Sequence, residues 1–338
     1  MTVECVRQAA GTIGADSRWQ RGADWLIIAL YALLVYPCTA QYLNCWDAAN
    51  YALAAEEYNV LFDRPQMPGY VVYVGLGKIA GLIAGEINRG FILLNWCLGA
   101  LAVWSFLRLG AALAVRHRQW WALVLITLPQ VWYFSAVAWM YVVHLLVSLG
   151  AIRALLAISR NEHQLLAATS LGALGALRPD MLPLLLVLTV VAWWLGPRRS
   201  LMGAAASIVI ILLVTGLWLL PLVMVYGRAY FTYSAVYSRQ YLDDAAGWQG
   251  VILNNLTALH PAVTASASMF VLAALAVMAV RPAAVRNRPA VVIAGGLAAA
   301  QVLFLLAVHI GNGGHLLRLI GPLLLLTAMV LSSVKICW

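Results

Sequence analysis

The chain predicts an all-α, polytopic membrane protein, and three observations carry that expectation. Apolar residues make up 64% of the 338 residues and charged residues 10%, against roughly 25% charged in a soluble domain. Continuous apolar runs of about 17–20 residues, each long enough to cross hydrocarbon as a helix, recur along the whole length. The runs are not interrupted with period two, which argues against a β-barrel. A net charge of +9 would suggest nucleic acid in a soluble protein. Here it reflects the excess of Lys and Arg on cytoplasmic loops, so no nucleic-acid partner is expected.

Residues 1–23 read as a polar cytoplasmic arm, and the first span runs from about Asp24 to Ala40. Arg18 and Arg21 precede it and no small-residue cleavage site follows, so it stays as an anchor. An outer loop, 41–88, comes next. Within it, residues 68–85 are just long enough to cross but hold five glycines and Lys78. Loop charges arbitrate. If 68–85 crosses, the basic loops around Arg116, Arg198 and Arg286 fall outside. If it lies along the outer surface, further spans near 89–110, 119–137, 139–158, 164–178, 181–196, 201–226, 262–281, 290–310 and 315–334 put fourteen Lys and Arg inside against four acids. The second arrangement follows the orientation rule. It gives a multi-pass inner-membrane protein of ten spans, one transmembrane domain over 24–338, interfacial helices in loop 41–88 and a second long outer loop at 227–261. The spans 164–178 and 181–196 are short and call for tilt. The five cysteines show no metal spacing, although Cys38 and Cys45 could meet on the outer side.

Loop 41–88 holds, within residues 43–75, Asp47, Glu56, Glu57 and Asp63, four of the twelve carboxylates. In the ten-span arrangement it meets three other outer pieces: Arg178-Pro179-Asp180, the 227–261 loop with Arg239, and His309 to Arg318. Ionisable groups near membrane depth usually face a cavity, and arginine's planar fork suits phosphate oxygens. An acid beside such arginines suggests transfer from a phosphate-bearing lipid. The carboxylate would take a proton from an acceptor hydroxyl and the arginines would stabilise the leaving phosphate. Plainer roles stand beside these. Asp47 suits an N-cap for a helix at 48–59, Glu56 and Glu57 a solvated face, Asp63 and Arg64 a local pair, and Pro68-Gly69 a turn. His315 and Arg318, three apart, share a helical face. A carboxylate-rich loop could hold Mg2+ or Mn2+, though no ligand spacing is visible.

Trp46-Asp47-Ala48-Ala49-Asn50-Tyr51, followed by Gln66-Met67-Pro68-Gly69-Tyr70, resembles the first outer loop of the GT-C glycosyltransferases, most of all the protein-O-mannosyltransferase-type branch. Gly175-Ala176-Leu177-Arg178-Pro179-Asp180 is similar to that family's Arg/Lys-Pro turn, and Gly314-His315-Leu316-Leu317-Arg318 to its His-x-x-Arg-Tyr segment. The likeness runs from about residue 24 to 330 and lies in the order and spacing of these pieces. It implies a transferase that moves a sugar from a polyprenyl-phosphate donor to a hydroxyl of a protein, lipid or glycan on the outer face, with inversion. Asp47 would be the base, and Arg178, Arg318, His315 and Arg64 would attend the donor phosphate. Tyr51, Glu56, Glu57, Gln66, Pro68, Gly69, Tyr70, Asp180 and Arg239 would support the acceptor and the loop. Gln66 stands where the family motif has His, Met67 where it has Pro, and Leu319 where a Tyr is expected. A transporter or lipid-carrier flippase is the alternative, but its site would sit near the bilayer midplane rather than at one face.

Overall fold

The computed structural model describes residues 18–197, 201–244, 247–251, 288–307 and 313–333, and among these no β-strand occurs. In chain order the helices are α1 Arg18–Val35, α2 Trp46–Glu56, α3 Val71–Ala84, α4 Ile87–Ala112, α5 Arg118–Thr127, α6 Pro129–Ala136, α7 Val142–Ser159, α8 Gln164–Leu177, α9 Leu182–Leu195, α10 Leu201–Tyr226, α11 Arg228–Asp244, α12 Arg288–Ala307 and α13 Leu317–Ser333. Six stretches are long and apolar enough to cross a membrane: Trp19–Cys38, Ile87–Ala112, Val142–Ser159, Leu201–Tyr226, Arg288–Leu305 and Gly314–Ser332. The protein is therefore an all-α, multi-pass membrane protein.

Burial sorts these helices into layers. The α7 stretch is 83% buried and the α13 stretch 89%, whereas those of α1 and α10 are each 22% buried. α7 is the central post, touching α4, α8, α9, α12 and α13. α1 turns Trp25, Leu26 and Leu33 outward, as a lipid-facing helix does, because it needs polar partners only for its backbone and supplies those itself. At its start Asp24 is held in a nearly dry pair. Arg118 Nη2 donates to Asp24 Oδ2 and Gln119 Nε2 to Oδ1, each at 3.1 Å. Arg118, read from the sequence as a loop charge, thus opens α5 and fastens it to α1.

One expected span differs. Residues 119–137 are not one helix. Leu128 is extended (φ −67°, ψ 125°) and Pro129 opens α6, because proline has no N–H for the preceding turn and pushes the residue before it out of the helical region. α3, α8 and α9 have 14 residues each, about 21 Å at 1.5 Å per residue, short of the roughly 30 Å of hydrocarbon. The expected span at 262–281 lies outside the described residues. Part of the segment expected as a second outer loop, 228–244, is helical, after a break at Gly227 (φ +55°).

α3 forms a close hairpin with α4. A Cβ on Gly90 would lie 2.3 Å from the Gly81 Cα, so the helices touch backbone to backbone. The Phe91 ring covers Gly77, and Tyr73 Oη donates to Asn95 Oδ1 at 3.0 Å. Segment 68–85 therefore stands along the first half of α4, with Ile79, Leu82 and Ile83 facing outward.

Candidate functional site

α2 begins two residues earlier than its acid suggests. Cys45 is the cap, extended at φ −158° and ψ 167°, and its Sγ accepts from the Ala48 N–H at 3.4 Å. Asp47 consequently sits in the first turn, where the helix dipole favours an anion, and the N-cap role considered for it belongs to Cys45. Its carboxylate faces across the molecule instead: Trp139 Nε1 donates to Asp47 Oδ2 at 2.9 Å.

Trp139 lies in the link between α6 and α7, which is non-helical for a visible reason. Asn95, fully buried on α4, donates its Nδ2 to the carbonyls of Val137 (2.8 Å) and Trp139 (2.9 Å). A buried amide must find partners, and here it takes backbone groups that a helix would otherwise use. Tyr73 completes the set at Asn95 Oδ1. Phe134 and Tyr141 flank the Trp139 ring at centroid distances of 5.6 and 4.7 Å. α3, α4 and the link together fix one oxygen of Asp47.

The second half of the site is built on the turn between α8 and α9. Arg178 Nη2 donates to Asp180 Oδ2 at 3.1 Å. Its Nε approaches Oδ1 at 3.0 Å as an ion pair without hydrogen-bond alignment. Arg318, from α13, donates Nη2 to the same Asp180 Oδ2. One carboxylate thus bridges two guanidiniums that are only 3% and 1% exposed. Burial would push the Asp180 carboxyl up, but the two arginines outweigh it and hold the group well below the usual carboxylate range. Arg318 also meets Gln301 Oε1 through Nη1, and its Nε and Nη2 face His144 Nε2, all at 3.4 Å. A guanidinium only donates, so His144 Nε2 is the acceptor and its proton resides on Nδ1. His315 Nε2 lies 3.3 Å from Tyr141 Oη.

Tyr70 and Tyr141 join the halves. Tyr70 is left-handed (φ 38°, ψ 41°), a strained conformation for an aromatic residue. The Arg178 guanidinium lies 5.2 Å from the centre of its ring. Burial pushes the Tyr70 phenol up to about 12, and its charge environment includes Arg178, Asp180, Arg318 and Asp47. The Tyr141 ring lies 4.7 Å from the Trp139 ring and 5.5 Å from that of His144, centre to centre. The acid and the arginine pair therefore lie on either side of these two rings, within electrostatic reach of Tyr70.

The preceding turn holds Tyr70 in place. Gly69 has φ +101°, and a Cβ there would come within 2.7 Å of Tyr58 Oη and 3.3 Å of Leu222 Cδ1. Tyr58 Oη donates to the Gly69 carbonyl (2.5 Å) and Tyr230 Oη, from α11, to that of Pro68 (3.1 Å). Gln66 Nε2 donates to Tyr51 Oη at 3.0 Å, and the buried Tyr51 ring packs against Tyr70, Tyr73 and Phe91.

Of the residues singled out in the sequence, Asp47, Tyr51, Gln66, Pro68, Gly69, Tyr70, Arg178, Asp180, His315 and Arg318 are thus connected. The rest stand apart. Glu56 is exposed, and Glu57 pairs with Arg64 at 2.9 Å. The expected Asp63–Arg64 pair is replaced, because Asp63 Oδ1 accepts from Tyr233 Oη at 3.0 Å. Arg239 is exposed on α11. Cys38 and Cys45 are free thiols. Trp139, Asn95, His144 and Gln301 are additions; an Asn and a His within the apolar stretches of α4 and α7 are the sequence signals for two of them.

The donors do not suit Mg2+ or Mn2+, which need several oxygens. Asp180 is committed to two arginines, and one Asp47 oxygen to an indole. Among the described residues no three His, Cys, Asp or Glu side chains gather as a metal set. Comparison of the chain with protein-family models, with curated proteins and with solved structures finds no match.

Proposed function

We propose that the protein is a membrane glycosyltransferase of ten spans that moves a sugar from a polyprenyl-phosphate donor to an acceptor hydroxyl at the outer face. One observation carries the reading: a half-buried carboxylate, fixed by the Trp139 indole, is joined through the Tyr141 and Tyr70 rings to two buried arginines bridged by Asp180. Asp47 takes the acceptor proton as the hydroxyl oxygen bonds to the anomeric carbon from the face opposite the phosphate. The carbon–oxygen bond to phosphate breaks, its electron pair stays on the phosphate, and the configuration inverts. The leaving phosphate gains one negative charge as Asp47 loses one. Arg178, Arg318 and Asp180 together carry one net positive charge, which supports that transfer in a site of low water content. Arg178 and Tyr70 face the phosphate, while Arg318, His144 and Gln301 hold the pair from behind.

The test uses purified protein in lipid nanodiscs, radiolabelled polyprenyl-phosphate sugars, and protein, lipid and glycan acceptors offered separately. The expected result is release of polyprenyl phosphate with labelled acceptor, lost in Asp47→Asn. Movement of the intact donor across a vesicle bilayer without cleavage would instead establish the flippase alternative.

A further inference from the structure

Trp46 is 75% exposed and stands directly before Asp47 in the first turn of α2. Tyr133, 42% exposed on α6, comes to the same place. The exposed Asn44 donates its Nδ2 to Tyr133 Oη at 3.3 Å. Phe134, the next residue, packs on the Trp139 ring that holds Asp47, with 5.6 Å between ring centres. Asn50 lies one turn beyond Trp46 and Asp47 and falls between them around the helix. It is 4% exposed, and its Nδ2 has no partner among the described residues, whereas buried amide donors normally have one. Two open rings, one open amide and one orphaned amide donor thus gather beside the carboxylate.

The charge pattern tells against a headgroup anchor, in which aromatic residues stand with Lys or Arg. Neither residue occurs between Arg21 and Arg64 or between Arg118 and Arg153, so an anionic ligand has nothing to pair with here. An extended peptide is commonly taken at a strand edge, and no β-strand lies among the described residues. Open rings set beside amides match a sugar. A pyranose presents C–H bonds on its flat faces, which lie against an aromatic ring, and hydroxyls at its edge, which meet an amide as donor or acceptor. We infer that Asn44, Trp46, Asn50 and Tyr133 form an acceptor subsite and that the acceptor is itself a neutral saccharide. Trp46 and Tyr133 carry its ring faces, Asn50 Nδ2 donates to one hydroxyl oxygen, and another hydroxyl of the same sugar reaches Asp47. The role as acceptor rests on the transferase reading; the binding of saccharide does not.

The experiment needs no donor, so it is read apart from the transfer reaction. The purified full chain in lipid nanodiscs is titrated, by saturation-transfer difference NMR, with neutral trisaccharides of mannose, glucose and galactose and with a serine-containing tripeptide. At least one trisaccharide should receive saturation at its ring C–H protons, and the peptide should not. Trp46→Leu keeps an apolar anchor and removes the flat face, so binding should weaken on the order of tenfold. Trp46→Phe should lose less than about threefold and Asn50→Ala about fivefold. Trp120→Leu, which removes an exposed ring at the other end of the bundle, should change nothing. No trisaccharide signal in the wild type, an equal signal from the peptide, or full binding by Trp46→Leu would each overturn the site. Bound trisaccharide without release of polyprenyl phosphate in any transfer assay would end the transferase reading and keep this site, whereas transfer to peptide or lipid hydroxyls alone would do the reverse.

Discussion

Trp139 leaves Asp47 one oxygen to work with. Its N–H occupies Oδ2, so Oδ1 is the atom that can accept a proton, and the ring sets where that atom points. Asp47→Asn keeps the size and removes the charge and the basic lone pair. Turnover should fall at least about 10²-fold while donor binding, measured separately by filter retention, persists. Trp139→Phe keeps the ring and deletes only the donor. It should lower kcat by on the order of tenfold with KM for the donor nearly unchanged; equal kcat in the variant would remove the positioning role. Asp180 is a different case, because its loss leaves two buried guanidiniums facing each other. Asp180→Asn should cost about 3–5 kcal/mol of stability, the scale for breaking a buried pair from one side. The sign of the pH effect follows from its lowered carboxyl. The group's stabilisation is complete above the unfolded carboxylate value of about 3.9 and drains as pH falls below it towards the depressed folded value. Thermal midpoints in detergent should therefore hold from pH 8 to about 5 as far as this group goes and drop below about 4. That group-specific drop should be absent from Asp180→Asn, whose midpoints start lower. Asp47 and the Arg178–Asp180 pair were legible because they lie in short local patterns. Trp139 was not, since its meeting with Asp47 joins residues 92 apart and depends on Asn95 bending the link.

Among the elements, the α3–α4 hairpin transmits order to the site. It brings Tyr73 to Asn95 and so fixes the link that carries Trp139. Its closeness depends on Gly81 and Gly90, where an added Cβ on Gly90 would meet backbone atoms that have no rotamer to give. Gly90→Leu should separate the helices and destabilise the fold by about 1–3 kcal/mol, the range for overpacking. It should also loosen Asp47, so activity should fall further than the thermal midpoint in detergent alone would suggest. Wild-type values of both would show that the contact is not used. Five glycines in 68–85 made this segment ambiguous in the sequence, and the ambiguity has a physical source: glycine weakens a lone helix yet permits the closest helix pairs. The break at Leu128–Pro129 was visible as a proline but was overridden by the apolar run around it. The helix at 228–244 was obscured by its tyrosines. Three of these, Tyr226 just before it with Tyr230 and Tyr233 within it, hydrogen-bond to the 58–68 segment.

At the scale of the whole molecule, the apolar runs made the fold class legible, while the number of crossings depends on where α3 ends. α3 is too short to cross unaided, and it runs beside the first half of α4, so its C-terminal turn at Gly85 sits at the same end of the bundle as the start of α4. The opposite end of α4 is tied through Arg118 to Asp24, next to Arg116. If basic segments face the cytoplasm, then Gly85 faces outside, and so does Glu86. Residue 162, in the turn between α7 and α8, falls on the cytoplasmic side. Single cysteines at Gly85 and Glu162, both in exposed turns, make the comparison, in a chain freed of its five native cysteines. Gly85 has φ +74°, a left-handed backbone that costs a side chain about 1 kcal/mol, so the exposed Glu86 serves as a second position. An impermeant thiol reagent added to intact cells should label 85 and 86 and spare 162 until the membrane is opened. The opposite pattern would place Asp47, Arg178 and Arg318 on the cytoplasmic side and rule out an acceptor on the outer face. Labelling of all three from outside would mean that at least one of α4, the α5–α6 pair and α7 does not cross.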